Sequence, residues 1–132
     1  MRTTKALAIG AAALASAAAC GGSSSGGAQS SSGGPAQHPS ALVGTVGKND
    51  AFQIALADDA GNPITNLAAG TYKLTVHDDS GIHNFHISGS GVDDKTSVTQ
   101  AQVKTYSITV KPGTYTFVCD IHPTMKGSFR VS

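Results

Sequence analysis

The sequence predicts an all-β fold, a sandwich or small barrel of seven to eight short strands, and three observations predict it. Apolar residues recur at every second position in several segments between residues 42 and 132, the mark of strands with one buried face. Clusters of Gly, Pro, Asn and Asp separate those segments at short intervals, as turns require. No convincing helix interrupts them, and short strands with turn signals between them build sandwiches and barrels.

The chain has 132 residues, and not all can belong to that domain. Residues 1–19 read as a secretory signal of the lipoprotein type. Arg2 and Lys5 supply a positive start, and residues 6–19 are apolar or small apart from Ser16. Such a run is short of the ~20 residues that span a bilayer and suits the apolar region of a signal. Ala17-Ala18-Ala19-Cys20 before Gly21 resembles a bacterial lipobox, with Ala17 where Leu, Ile or Val is usual. The resemblance implies that Cys20 becomes an acylated first residue. Cleavage at an Ala-x-Ala site is the alternative. Residues 20–40 then comprise Cys20 and the stretch GGSSSGGAQSSSGGPAQHPS. This stretch is expected to be a flexible tether, because it has too little apolar area to bury. His38 is read as solvated.

Residues 41–132 form one domain near the lower end of the usual size range. Seven Lys and Arg stand against eight Asp and no Glu, a net charge of −1 with the charges scattered. That pattern excludes nucleic acid and anionic lipid as evident partners.

Within the domain the strands follow in order. In FQIALAD, Phe52, Ile54 and Leu56 share a face, and Asp58 to Pro63 make a turn region. In GTYKLTVHD, Tyr72, Leu74 and Val76 share one face, with Lys73, Thr75 and His77 on the other. IHNFHIS is a further short strand. SGSGVDDKTS is expected to be an exposed loop. VKTYSITV alternates, with Tyr106, Ile108 and Val110 on one side and Val103, Ser107 and Thr109 on the other. Lys111-Pro112-Gly113 is a turn, TYTFVC places Tyr115, Phe117 and Cys119 on one face, and GSFRVS closes the domain. His86 and His77 are read as surface residues, and Phe85 and Phe117 as core.

If Cys20 is acylated, Cys119 has no partner for a disulfide, although export favours disulfides. A lone thiol outside the cytoplasm must be inert by burial or bound to something. Its neighbours favour the second reading. CDIHPTMKG sets Cys119, His122 and Met125 three residues apart. Thiolate and thioether select reduced copper, and imidazole accepts both copper oxidation states. Zinc also takes Cys and His, but a thioether suits it poorly. A fourth donor is needed. His38, His77, His83 and His86 are the remaining histidines, and His83 in GIHNFH is the one expected.

Two separated motifs, HNFH at 83–86 and YTFVCDIHPTMKGSF at 115–129, resemble the cupredoxins, the small blue copper proteins. The Cys-x-x-His-x-x-Met spacing is similar to the amicyanin type; plastocyanins usually have a longer gap between His and Met. The resemblance covers nearly all of residues 42–132 and implies a Greek-key β-sandwich holding one type 1 copper. By position it makes His83, Cys119, His122 and Met125 the ligands. It implies that Asn84 ties the two ligand segments together beside the cysteine, here by reaching Asp120 or its backbone. Pro123 is expected to stiffen the ligand turn, and Gly127 to let the chain turn back into the last strand.

The function that follows is that of a lipid-anchored, monomeric electron carrier on the outer face of a bacterial cytoplasmic membrane. His122 is its expected electron-transfer edge, and Ile121, Pro123 and Thr124 flank a docking surface for a redox donor and acceptor. Copper delivery, storage or resistance is the alternative from another class. An enzyme is not expected, since one domain has donors for one site.

Overall fold

The computed structural model describes residues 34–132. The signal segment 1–19, Cys20 and the start of the tether lie outside the described residues. The architecture is a sandwich of two mixed sheets with nine strands. They are β1 (Leu42–Val46), β2 (Ile54–Asp58), β3 (Asn66–Leu67), β4 (Gly70–Asp78), β5 (His86–Gly89), β6 (Val92–Lys95), β7 (Gln102–Val110), β8 (Gly113–Val118) and β9 (Lys126–Val131). One sheet has the order β2-β1-β4-β7 and the other β3-β9-β8-β5-β6. The β1–β4 and β3–β9 pairs are parallel and the rest antiparallel. Beyond one short 3-10 turn at Lys48–Asp50, the described residues hold no helix, and none long and apolar enough to cross a membrane.

The alternation read from the sequence is the alternation observed. Tyr72, Leu74 and Val76 of β4 and Ile108 and Val110 of β7 point inward. They meet Ile87, Tyr115, Phe117, Phe129 and Val131 from the opposite sheet. Each fully buried side chain of this kind contributes ~1.5–3 kcal/mol of transfer free energy, so the inner faces fix which way every strand presents its other side. Phe85 stacks on Phe117 with ring centroids 5.7 Å apart, and Tyr115 on Phe129 at 5.2 Å. The Tyr115 hydroxyl accepts from Lys111 N–H at 2.9 Å and donates to Lys111 C=O at 3.1 Å, closing the Lys111-Pro112-Gly113 turn.

Five expectations are corrected. The segment SGSGVDDKTS contains β6, which pairs with β5 from Gly89↔Val92 to His86↔Lys95. Ser90-Gly91 is a two-residue hairpin turn with Gly91 at φ 90, and such short links favour positive φ. Phe52 does not share the Ile54–Leu56 face; it precedes β2 and is 65% exposed. β1 and β3 have no counterpart among the strands read by alternation, because Gly44 interrupts one and the other has two residues. His86 is a bridging residue, not a free surface histidine. Finally, the expected tether is docked near its end. Gln37 N–H donates to Asn66 C=O at 2.7 Å, and Ala68 N–H to Gln37 C=O at 2.9 Å. The Gln37 amide donates to Pro63 C=O at 3.1 Å and accepts from the N–H groups of Thr65 and Asn66.

Candidate metal centre

The centre lies at one end of the sandwich. His83 comes from the irregular segment between β4 and β5, Cys119 directly follows β8, and His122 and Met125 lie in the turn that leads into β9. That turn closes on itself: Met125 N–H donates to His122 C=O at 2.8 Å and Cys119 N–H to Met125 C=O at 3.0 Å. It therefore returns the chain to the Val118↔Lys126 pair with three of its side chains committed. Pro123, exposed within it, restricts φ and donates no hydrogen bond.

His83 and Cys119 are fully buried, Met125 is 4% exposed and His122 is partly exposed. His83 Nδ1 stands 2.9 Å from His122 Nδ1. Cys119 Sγ stands 3.8 Å from the first and 3.6 Å from the second. The three donor atoms all lie within 4.8 Å of one another. An ion about 2.0 Å from nitrogen and 2.3 Å from sulfur at a trigonal angle sets an N···S edge of about 3.7 Å. The observed edges match it. The N···N edge corresponds to an angle a little above 90°. One thiolate and two imidazoles in this arrangement, with a buried methionine in the same turn, fit a type 1 copper ion.

Packing aims the His83 ring. Its Nε2 is buried without a hydrogen-bond partner, so no polar contact on that side of the ring turns it. Gly47, at φ +66, makes room beside it: a Cβ there would fall 2.9 Å from His83 Cδ2 and 2.5 Å from Ser80 Cβ. Gly44 does the same for Phe85, two residues further on, whose Cζ would lie 2.9 Å from an added Cβ. Phe52 meets both ligand rings edge-on, at 5.1 Å from His83 and 4.9 Å from His122.

The second layer is polar and charged. The Asn84 amide donates to Asp120 Oδ2 at 3.0 Å, while Asp120 N–H donates to Asn84 Oδ1 at 2.8 Å. The two ligand segments are thus tied one residue away from His83 and from Cys119. Asp120 Oδ1 also meets His86 Nδ1 at 2.7 Å, and His86 Nε2 meets Asp93 at 2.6 Å. An imidazole with both nitrogens on carboxylates donates to both when protonated, and although burial lowers it, these bonds raise the His86 pKa from its ordinary value. Burial alone would raise the Asp120 carboxyl, but hydrogen bonds from His86 and Asn84 outweigh it and bring it below 3.8.

The structure thus brings together His83, Cys119 and His122, with Asn84 and Asp120 beside them. His38 and His77 belong to no metal-holding cluster among the described residues. Phe52, Asp78 and Thr96 were missed. Asp78 alone had a signal: it continues the Tyr72, Leu74, Val76 series and so faces inward.

No protein-family model matches the sequence, and no curated protein does. Solved structures do match by shape. A structure of the copper protein rusticyanin superposes with TM-score 0.52 at 20% identity, covering 69% of this chain and 76% of that one. Reduced rusticyanin superposes with TM-score 0.51 at 23% identity, covering 69% and 77%. The chain therefore has the cupredoxin fold. A proline variant of oxidised amicyanin overlaps at TM-score 0.45 and 21% identity, over 70% and 83% of the chains; at that score it adds nothing to the assignment.

Proposed function

We propose that this protein is a type 1 copper protein that carries single electrons between redox partners outside the cytoplasm, tethered to the membrane through Cys20. The observation that carries this reading is the buried convergence of His83 Nδ1, Cys119 Sγ and His122 Nδ1 within 4.8 Å. His83, Cys119 and His122 would hold the ion, and the thioether of Met125, buried in the same turn, would be a further, weaker donor. Bound copper would supply a Cu(II)/Cu(I) couple. The protein's part is to keep the donors in one arrangement for both states. The closed turn 119–125, the Asn84–Asp120 tie and the packed His83 ring support that rigidity. The fold supports the same reading, since the superposed rusticyanin is a copper protein with a reduced form.

His122 would be the edge through which electrons pass, being the imidazole that reaches solvent. Exposed uncharged residues accompany it: Phe52 at 65%, Ile121 at 54% and Ile82 at 51%, with Pro123 and Thr124. Exposed apolar side chains of this kind, bordered by Lys126 and Asp120, suit a transient, modest interface with a redox protein. Acylation of Cys20 would concentrate the monomeric domain near membrane oxidoreductases. Changing Cys20 to Ser should move the protein to the soluble fraction; retention on the membrane would remove the anchor from this reading.

The test of the copper reading is a Cu(II) titration of the metal-free full chain, followed by ascorbate. An intense visible thiolate-to-copper band should saturate at one equivalent and bleach reversibly. Weak absorbance with irreversible thiol oxidation would overturn it. Copper delivery is distinguished by challenge with a Cu(I) chelator: an electron carrier retains the reduced ion, and a delivery protein surrenders it.

A further inference from the structure

His83 is carried by a segment with no regular structure, yet it is the most completely buried of the two imidazoles. Besides the Asn84–Asp120 tie, one buried carboxylate bonds at both ends of the segment. Asp78 ends β4 with 1% of its surface exposed. Its Oδ1 faces Ser80 N–H at 3.4 Å, at the start of the segment. Its Oδ2 accepts the Thr96 hydroxyl at 2.6 Å. That hydroxyl, 4% exposed, in turn accepts Phe85 N–H at 2.8 Å, at the end of the segment. Thr96 N–H also donates to Phe85 C=O at 3.0 Å, so one threonine holds both backbone groups of Phe85.

Among the described residues no ion pair includes this carboxylate. An unpaired buried charge is costly and persists where surrounding structure demands it. Burial indeed pushes the Asp78 carboxyl upward despite the Thr96 and Ser80 bonds. An apolar residue at this inward position would leave the buried Thr96 hydroxyl and the Ser80 N–H without their acceptor, so the carboxylate is retained for the bonds it makes to the His83 segment.

We propose that Asp78 is a positioning residue of the metal centre: through Ser80 and Thr96 its carboxylate grips both ends of the His83 segment. When ionised, it also places a negative charge inside the sandwich on the His83 side. The inference rests on the copper reading for its electronic consequence but not for its mechanical one. A buried negative charge favours the more positive, oxidised state of a nearby ion. Removing the charge while keeping the shape should therefore raise the reduction potential. Cutting the Thr96 link should instead loosen Phe85 and the ligand two residues before it.

The test has two arms. In the metal-free full chain, Thr96→Val should speed amide hydrogen exchange at Phe85 by about tenfold, the scale of one lost hydrogen bond, and Thr96→Ser should restore it. In the copper-loaded chain, Asp78→Asn should raise the midpoint potential, and Thr96→Val should shift the thiolate-to-copper band. Wild-type exchange at Phe85 in Thr96→Val would overturn the mechanical tie. An unchanged potential in Asp78→Asn would overturn the electrostatic role. Should Thr96→Val fail to fold, Asp78→Ala, which removes the acceptor of the Thr96 hydroxyl, should likewise speed Phe85 exchange, and wild-type exchange there would overturn the tie. Failure to bind copper at all would count against the copper reading and leave the exchange result standing.

Discussion

Asn84 and Asp120 hold each other twice across 36 residues of sequence, amide to carboxylate at 3.0 Å and backbone N–H to amide oxygen at 2.8 Å. Asn84 is 1% exposed, so its amide is buried at one end of both bonds while Asp120 reaches solvent at the other. Each also stands beside a metal donor, His83 on one side and Cys119 on the other. Replacing Asn84 with Ala should cost ~1–3 kcal/mol, since it leaves the Asp120 N–H unsatisfied. Copper should still bind, with an altered reduction potential, because an outer hydrogen bond to the thiolate segment tunes the metal. Voltammetry and thermal melting check this, and a variant with wild-type potential would sink the role.

His86 adds a pH dependence. Burial alone would lower its pKa, but hydrogen bonds to Asp120 and Asp93 outweigh burial, and the net shift is upward from 6.5. A raised histidine contributes stability that is fully present below about 6.5 and lost as pH rises through its folded-state value. Asp93 is 80% exposed, so solvent screening keeps the whole effect near 1 kcal/mol or less. Denaturation at a series of pH values from 6 to 9 should show a decline that His86→Gln lacks. Identical slopes in the two proteins would mean that the imidazolium is not clamped as described.

Gly127 is required by packing and not by a turn. It sits inside β9, opposite Phe117, and a Cβ there would fall 2.2 Å from Phe117 Cζ. Gly127→Ala should destabilise by ~1–3 kcal/mol through overpacking. In a Phe117→Leu background the penalty should shrink, because neighbours in contact are not additive. A double-mutant cycle in urea measures it, and an equal penalty in both backgrounds would place the strain elsewhere.

Gln37 ties residues outside the expected domain to it. The backbone and amide bonds to Pro63, Thr65, Asn66 and Ala68 should be worth ~1–2 kcal/mol together, given their exposure. Gln37→Ala, or removal of the chain up to residue 40, should speed amide exchange at Thr65 and Asn66. If this stretch were a free tether, neither change would have any effect there.

The alternating segments were legible because burial imposes a period of two on any strand with one wet face. GTYKLTVHD and VKTYSITV carry that period over nine and eight residues and are the longest paired strands, β4–β7. β3 has two residues and was not legible, since its strand character comes from pairing with Arg130 and Val131 of β9. β6 was read as a loop because Asp93, Asp94 and Lys95 look solvated; its backbone is recruited by β5. Gly47 and Gly44 carried no readable sign of their function, which is to leave space for His83 and Phe85.

The candidate site divides in the same way. Cys119, His122 and Met125 lie within seven residues, so their chemistry and spacing could be read directly, as a soft donor set on one closed turn. Sequence alone also supplied the adjacency of Asn84 to His83, whereas the inward parity of Asp78 was present in the β4 alternation but not read from it. Only the tertiary structure decided that His83 Nδ1 meets the Cys119 thiol, that Phe52 covers both imidazoles, and that His86 clamps Asp120. Those contacts join different strands and loops. A local pattern records which face a residue takes within its own strand, whereas the partner across the sandwich is chosen by the register and packing of the two sheets.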